Sequence, residues 1–260
     1  MIVDCHVHLP SPGIVWEWAP FTADLSACLN YLRRCGVDKA VANSVRAVTA
    51  KTADEVRRGN DEAFAAARDS GGFIVPACIV NPECEGAAGE LERCRELGSV
   101  WLGEICGYAA GFRYDTKRFR AVVARAVELG MVVQIHATAE EMRDICGRFP
   151  RGTFVLPHPA SGREDIGPRV EALRDLPNMH LDLCGHGYER MGILELAASI
   201  APERVLFGSD YTINDPAAVI ARVRASYLPD GAKDLILGGN AERMLAERGV
   251  SPAPERGALP

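Results

Sequence analysis

Short apolar runs alternate along the chain with longer stretches in which apolar residues recur every three or four positions. The runs read as strands: Ile2–His8 (IVDCHVH), Val37–Ser44, Phe73–Ile79, Val100–Ile105, Met131–His136, Thr153–His158, His180–Cys184 and Val205–Asp210. Between them lie helical faces. Leu25, Cys28, Leu29 and Leu32 fall at i, i+3, i+4 and i+7, and Gly36 supplies a C-terminal stop. Phe119, Val122, Val123, Ala126 and Val127 mark a second such face, ended by Gly130. Further helices are predicted near residues 54–68, 90–97, 139–148, 163–176 and 189–200. Asp215-Pro216 offers an N-cap and an N1 proline for a helix over 217–226. Leu235–Gly238 reads as a last short strand or turn, followed by a helix from Asn240.

Eight β-then-α units imply parallel strands joined by right-handed crossovers. They predict the α/β class and a single-domain (β/α)8 TIM barrel over residues 1–250, with a Pro/Gly-rich, flexible tail at 251–260. No G-x-G-x-x-G follows the first strand, which disfavours a doubly wound dinucleotide fold.

Composition narrows the class. The chain has 260 residues, 48% hydrophobic and 25% charged, ordinary for a globular protein with a large core. No run approaches the ~18 apolar residues of a membrane span, and no signal peptide is evident at the N-terminus. A net charge of −6 without a basic cluster disfavours a nucleic-acid surface. Nine cysteines lack any C-x-x-C pair, so reduced thiols and a cytoplasmic location are expected. Cys5, Cys106 and Cys184 lie near strand ends, where a site role is open beside the simpler one of packing. The expected partner is a small-molecule substrate, and a homo-oligomer is compatible with the sequence.

Chemistry enters through the strand ends. His6 and His8 are two apart in a strand and so share a face, as two ligands of one ion would. Glu104 comes late in the fourth strand; His136, His158 and Asp210 end the fifth, sixth and eighth. In a barrel these positions converge on the C-terminal rim, where active sites sit. Six N/O donors on one rim suit one or two divalent ions, with zinc the first expectation. His180 opens its strand at the far rim and reads as structural, while His186 follows strand seven in a Gly-His-Gly loop.

These segments carry a resemblance. VDCHVH, GEICGY (103–108), IHA (135–137), LPHPASG (156–162), FGSDY (207–211) and ILGGNAERML (236–245) together resemble the amidohydrolase superfamily, in its amidohydrolase-related branch. GEICGY is also similar to the strand-four segment of TatD-type nucleases, in which a glutamate joins a binuclear centre. The resemblance implies a metal-dependent hydrolase that cleaves a C–N or C–O bond in a small amide, lactone or ester. Asp210 would act as ligand and general base toward an ion-activated water. His158 would be either a second-ion ligand or a charge-stabilising group. In the two-ion form His6, His8 and Asp210 hold one ion, His136 and His158 the other, and Glu104 bridges. A one-ion decarboxylase or hydratase acting on a small carboxylic acid is the alternative, and a TatD-like deoxyribonuclease comes third. Pocket candidates on the loops are Trp16, Trp18, Ser44, Arg46, Asn81, Tyr108, Arg113 and Tyr211, with Arg46, Tyr108 and Tyr211 preferred for substrate contact. The two tryptophans suggest a lid.

Overall fold

All eight predicted strands form, and each pairs in parallel with the next in chain order. The computed structural model describes residues 1–14, 24–159, 166–185 and 192–252. The strands are β1 Val3–Leu9, β2 Lys39–Ser44, β3 Ile74–Cys78, β4 Trp101–Ile105, β5 Val132–Ile135, β6 Thr153–Leu156, β7 Met179–Asp182 and β8 Val205–Leu206. β8 returns to β1 through Cys5 N–H to the Phe207 carbonyl at 2.9 Å and Asp210 N–H to the His6 carbonyl at 2.8 Å. The result is a nearly closed (β/α)8 TIM barrel.

Local sequence explains the surrounding helices. Leu25–Arg34 starts where Asp24 accepts from Ala27 N–H, and it buries Cys28 and Leu32. Lys117–Glu128 is capped by Thr116 and buries Phe119, Val122, Val123 and Ala126. Ala139–Arg148 opens with a reciprocal capping box between Thr138 and Glu141. Asp215 caps Pro216–Arg224, as its sequence predicts. Among the described residues, no helix is long and apolar enough to cross a membrane.

Three features depart from the sequence reading. Leu235–Gly238 is helical, not a strand or turn: Leu235–Gly239 forms one π turn between Asp230–Asp234 and Asn240–Ala246. Tertiary contact decides this, because Ile236 is buried in the outer apolar layer and its carbonyl accepts from Phe207 N–H at 2.9 Å. Two short rim helices, Val45–Val48 and Gly107–Ala110, also lack a periodic signal. Trp16, Trp18, His186 and the tail beyond Pro252 lie outside the described residues.

Two apolar layers hold the barrel. The outer layer packs Leu102, Val133, Phe154 and Phe207 of the strand regions against Leu32, Phe119 and Leu173 of the helices. The inner layer fills the lower barrel with Val3, Cys5, Val41, Val75, Trp101, Val132, Val155 and Leu206. Met244 and Leu245 close its floor. Each fully buried large aliphatic side chain contributes about 1.5–3 kcal/mol.

The alternation that builds the inner layer changes phase near the top. In β1, Val3 and Cys5 belong to the inner layer but Val7 and Leu9 to the outer one. The register with β2 shifts between Asp4 and Val7, the mark of a bulge. That extra residue turns His6 and His8 inward. β4 repeats the device, with Trp101 inside, Leu102 and Ile105 outside, and a register shift between Leu102 and Ile105. Gly103 makes this bend with φ of 126°, and a Cβ there would land on the Gln134 carbonyl oxygen. Glu104 is thereby aimed into the mouth.

Candidate metal centre

His6 and His8 leave the β1 bulge with their Nε2 atoms 3.1 Å apart. Their outer nitrogens are committed. His6 Nδ1 faces Asp182 Oδ2 at 2.9 Å, and that oxygen also accepts from Gln134 Nε2 at 2.8 Å. His8 Nδ1 faces Asn43 Oδ1 at 2.8 Å, and the amide is oriented because Asn43 Nδ2 donates to the Gly103 carbonyl at 2.9 Å. Both Nδ1 atoms therefore donate, and each ring, once neutral, presents a lone pair at Nε2 to the same space. Only a cation or a proton reconciles two lone pairs at that separation.

The remaining donors surround that space. Asp210 Oδ1 is 3.1 Å from His8 Nε2 and 3.7 Å from His6 Nε2. It is buried and, among the described residues, accepts no hydrogen bond of good geometry, while Oδ2 accepts from Asn214 Nδ2 at 3.0 Å. Glu104 divides its carboxylate. Oε2 lies 3.3 Å from His6 Nε2 and 3.6 Å from His8 Nε2, whereas Oε1 lies 2.9 Å from His136 Nδ1 and 3.4 Å from His158 Nε2. His136 Nδ1 and His158 Nε2 are themselves 3.2 Å apart. Donors about 2.1 Å from a tetrahedral zinc ion sit roughly 3.4 Å from one another. Both sets meet that spacing, so the residues present fit a divalent ion at each.

Backbone conformation aims the last two donors. His158 and Asp210 have positive φ, 64° and 58°, unusual for residues with a Cβ. Such positions persist where surrounding structure imposes them, and they cluster at functional sites. Gly208 lies two residues before Asp210, where a Cβ would stand 2.8 Å from that of His6 and 2.7 Å from Asp182 Oδ1.

Charge inside the site is balanced between carboxylates and imidazoles. Burial opposes a charge on His8, but Asp210 and Glu104 outweigh it and lift its pKa to about 9. His6 is likewise raised against burial by Cys184, Glu104 and Asp182. Burial favours a neutral Glu104, yet His6 and His136 hold it well below the carboxylate range. Histidines that bound an ion here would give up those protons. At the opposite rim, burial lowers His180 to about 4, and its Nδ1 sits 3.3 Å from the Phe154 carbonyl.

A family model described as amidohydrolase matches residues 3–246. The chain belongs to the amidohydrolase family. A search of curated proteins finds no match. Solved structures similar to this amidohydrolase include 2,6-dihydroxybenzoate decarboxylase from Rhizobium: 16% identity, TM-score 0.73, covering 95% of this chain and 99% of that one. Another is dihydroxybenzoic acid decarboxylase from Polaromonas sp. JS666 with bound manganese and 2-nitroresorcinol: 15% identity, TM-score 0.71, covering 96% and 99%. A third is a probable 2-pyrone-4,6-dicarboxylic acid hydrolase from Acinetobacter baumannii with citric acid bound: 14% identity, TM-score 0.66, covering 94% and 99%. At these identities the likeness is one of fold.

The amidohydrolase barrel thus gathers all six residues read from the sequence as metal donors: His6, His8, Glu104, His136, His158 and Asp210. The three preferred substrate residues separate. Tyr108 is exposed at the mouth with its ring edge-on to His136, centroids 5.0 Å apart. It lines a groove of about 890 Å³ together with His136, Arg113 and Tyr114. Arg46 is instead tied into the rim, its Nε on Glu62 Oε1 at 2.8 Å and its Nη2 on the Pro12 carbonyl at 2.8 Å. Tyr211 stacks on Tyr31 of the Leu25–Arg34 helix, centroids 5.6 Å apart, outside the donor cluster.

Sequence reasoning missed the residues that hold the donors. Asp182, Gln134 and Asn43 each sit on a strand as polar interruptions of an apolar run, and that interruption was the available signal. Asp4 was visible in the same way: it accepts from Ser209 N–H at 2.9 Å and Ser209 Oγ at 2.6 Å, joining β1 to the segment after β8. Burial pushes Asp4 up to about 7 despite these bonds.

Proposed function

We propose that this amidohydrolase is a metal-dependent hydrolase that cleaves a C–N or C–O bond in a small amide, lactone or ester at a two-ion centre. The observation that carries the reading is the divided carboxylate of Glu104, one oxygen toward His6 and His8 and the other toward His136 and His158. His6, His8 and Asp210 would hold one divalent ion and His136 and His158 the other, with Glu104 between. Zinc is the ion of first choice for such a nitrogen and carboxylate set. Bound ions supply a polarised substrate carbonyl and an acidified water. Asp210 is the base: its Oδ1 is buried, lacks a well-formed hydrogen bond among the described residues, and can take a proton from the attacking water. The same oxygen then delivers that proton to the leaving nitrogen or oxygen. Asp182 and Asn43 keep His6 and His8 in the tautomer that turns an Nε2 lone pair toward the ion position. The substrate approaches past Tyr108 and His136. The His136 side chain is 26% exposed, against 10% or less for the other five donors.

A second reading has its own support, in the decarboxylases of hydroxylated benzoates that share this fold. It makes the chain a one-ion decarboxylase or hydratase of a small carboxylic acid. Metal analysis of the reconstituted protein separates the two. The hydrolase reading expects close to two ions per chain, falling to one in Glu104→Gln. A single ion, unchanged by Glu104→Gln, would sink the two-ion hydrolase and favour the lyase.

A further inference from the structure

Strand four ends with a second donor that the reading above does not use. Beyond the Gly103 bend the alternation resumes: Ile105 packs into the outer layer, and Cys106, two residues on, falls on the same side of the chain as Glu104, where it also packs against Ala47, Val48 and Ile79. Glu-x-Cys at the end of β4 thus repeats the spacing of His-x-His on β1. The Cys106 sulfur, a Glu104 carboxylate oxygen and a His136 ring nitrogen all lie within 4.8 Å of one another, and Cys106 is buried. Cys184 differs. Its sulfur sits 3.0 Å from His6 Nδ1 and 3.2 Å from His158 Nδ1, the nitrogens turned away from the shared donor space, with an Asp210 oxygen also within 4.8 Å of it.

We propose that Cys106 is a thiolate ligand of the ion held by Glu104, His136 and His158, making that position a mixed nitrogen, oxygen and sulfur site. This inference rests on the metal-centre reading above. The metal–sulfur bond forms as the Cys106 S–H gives up its proton to solvent, with no change in oxidation state. The consequence is selectivity: thiolate favours zinc or cobalt over manganese, whereas the His6, His8 and Asp210 position, with nitrogen and oxygen donors alone, lacks that bias. The two positions of one centre then differ in softness.

Cobalt(II) reports on this directly, through a near-ultraviolet sulfur-to-cobalt charge-transfer band. The metal-free full-length chain is titrated with Co²⁺ alone, and the same titration is run on Cys106→Ala, Cys106→Ser and Cys184→Ala. We expect the band in the native protein and in Cys184→Ala, and its loss in both Cys106 variants. Cys106→Ser, nearly isosteric, guards against misfolding, with circular dichroism as the check. Zinc affinity at the affected position should drop by at least the roughly 10–100-fold that losing even an outer partner costs. Two equivalents of cobalt bound without a band would overturn the inference and leave the two-ion reading standing. A band that survives Cys106→Ala, or vanishes only in Cys184→Ala, would overturn it as well. One equivalent with a band lost in Cys106→Ala would support the thiolate and sink the two-ion count.

Discussion

The lower and upper halves of this barrel are built on the same strands yet obey different rules. Below, strict alternation points Val3, Val41, Val75, Trp101, Val132, Val155 and Leu206 inward, and Met244 and Leu245 seal the floor. Above, bulges in β1 and β4 and positive φ at His158 and Asp210 break that alternation. The lower half minimises free energy by filling space. The upper half accepts strained backbone, at about 1–3 kcal/mol per residue, to converge six polar side chains on one point. Stability and chemistry are thus separated along the barrel axis, as the fold permits.

The separation can be broken from either end. Asp210→Asn should lower turnover most, by roughly 10²–10⁴-fold, because the amide cannot take the proton. Thermal unfolding should stay near that of the native chain, since asparagine tolerates positive φ. Activity retained in a kinetic assay would remove Asp210 from the mechanism. Met244→Ala is the counterpart at the floor. It should cost about 2–5 kcal/mol in denaturant unfolding while leaving bound metal unchanged. Loss of metal from a folded Met244→Ala chain would show the halves to be coupled.

His180 sharpens the contrast through pH. Its folded pKa of about 4 lies below the usual 6.5, so below pH 6.5 the unfolded chain takes up a proton that the folded chain refuses. The stabilisation is therefore complete above pH 6.5 and lost as pH falls toward 4, by about 3 kcal/mol in all. His180→Gln should flatten that part of the stability profile; an unchanged slope would rule His180 out as its source. The smallest effect is expected at Asp182, which buttresses His6 from outside the donor set. Asp182→Asn should weaken metal binding roughly 10–100-fold without unfolding the barrel, as read by competition with a chelator. Native affinity in that variant would make the Asp182 contact incidental.

Much of this was legible in order along the chain. Eight apolar runs separated by 3.6-period helices specify parallel units that bury both faces, and the barrel follows from their number. The donors were legible too, because histidine and carboxylate at strand ends stand out against Val and Ile. Arg46 and Tyr211 were not, since the Glu62 and Tyr31 that engage them come from other elements. Leu235–Gly238 misled because four apolar residues suit a strand or a buried helical turn equally.

By itself, then, the sequence determined most of the elements that form and which polar residues stand at the strand ends. Both are set by local periodicity and by side-chain type. Only the tertiary structure decided how the donors meet. Alternation alone would have placed Cys5 and Val7 of β1 on one face; the bulge between β1 and β2 is a property of the pair, not of either strand. The Gly103 bend depends in the same way on Gln134 from β5. Nor could a linear pattern reveal that Glu104 splits its oxygens between two histidine pairs drawn from three strands. That division arises from distances between elements, which the nearly closed barrel alone sets.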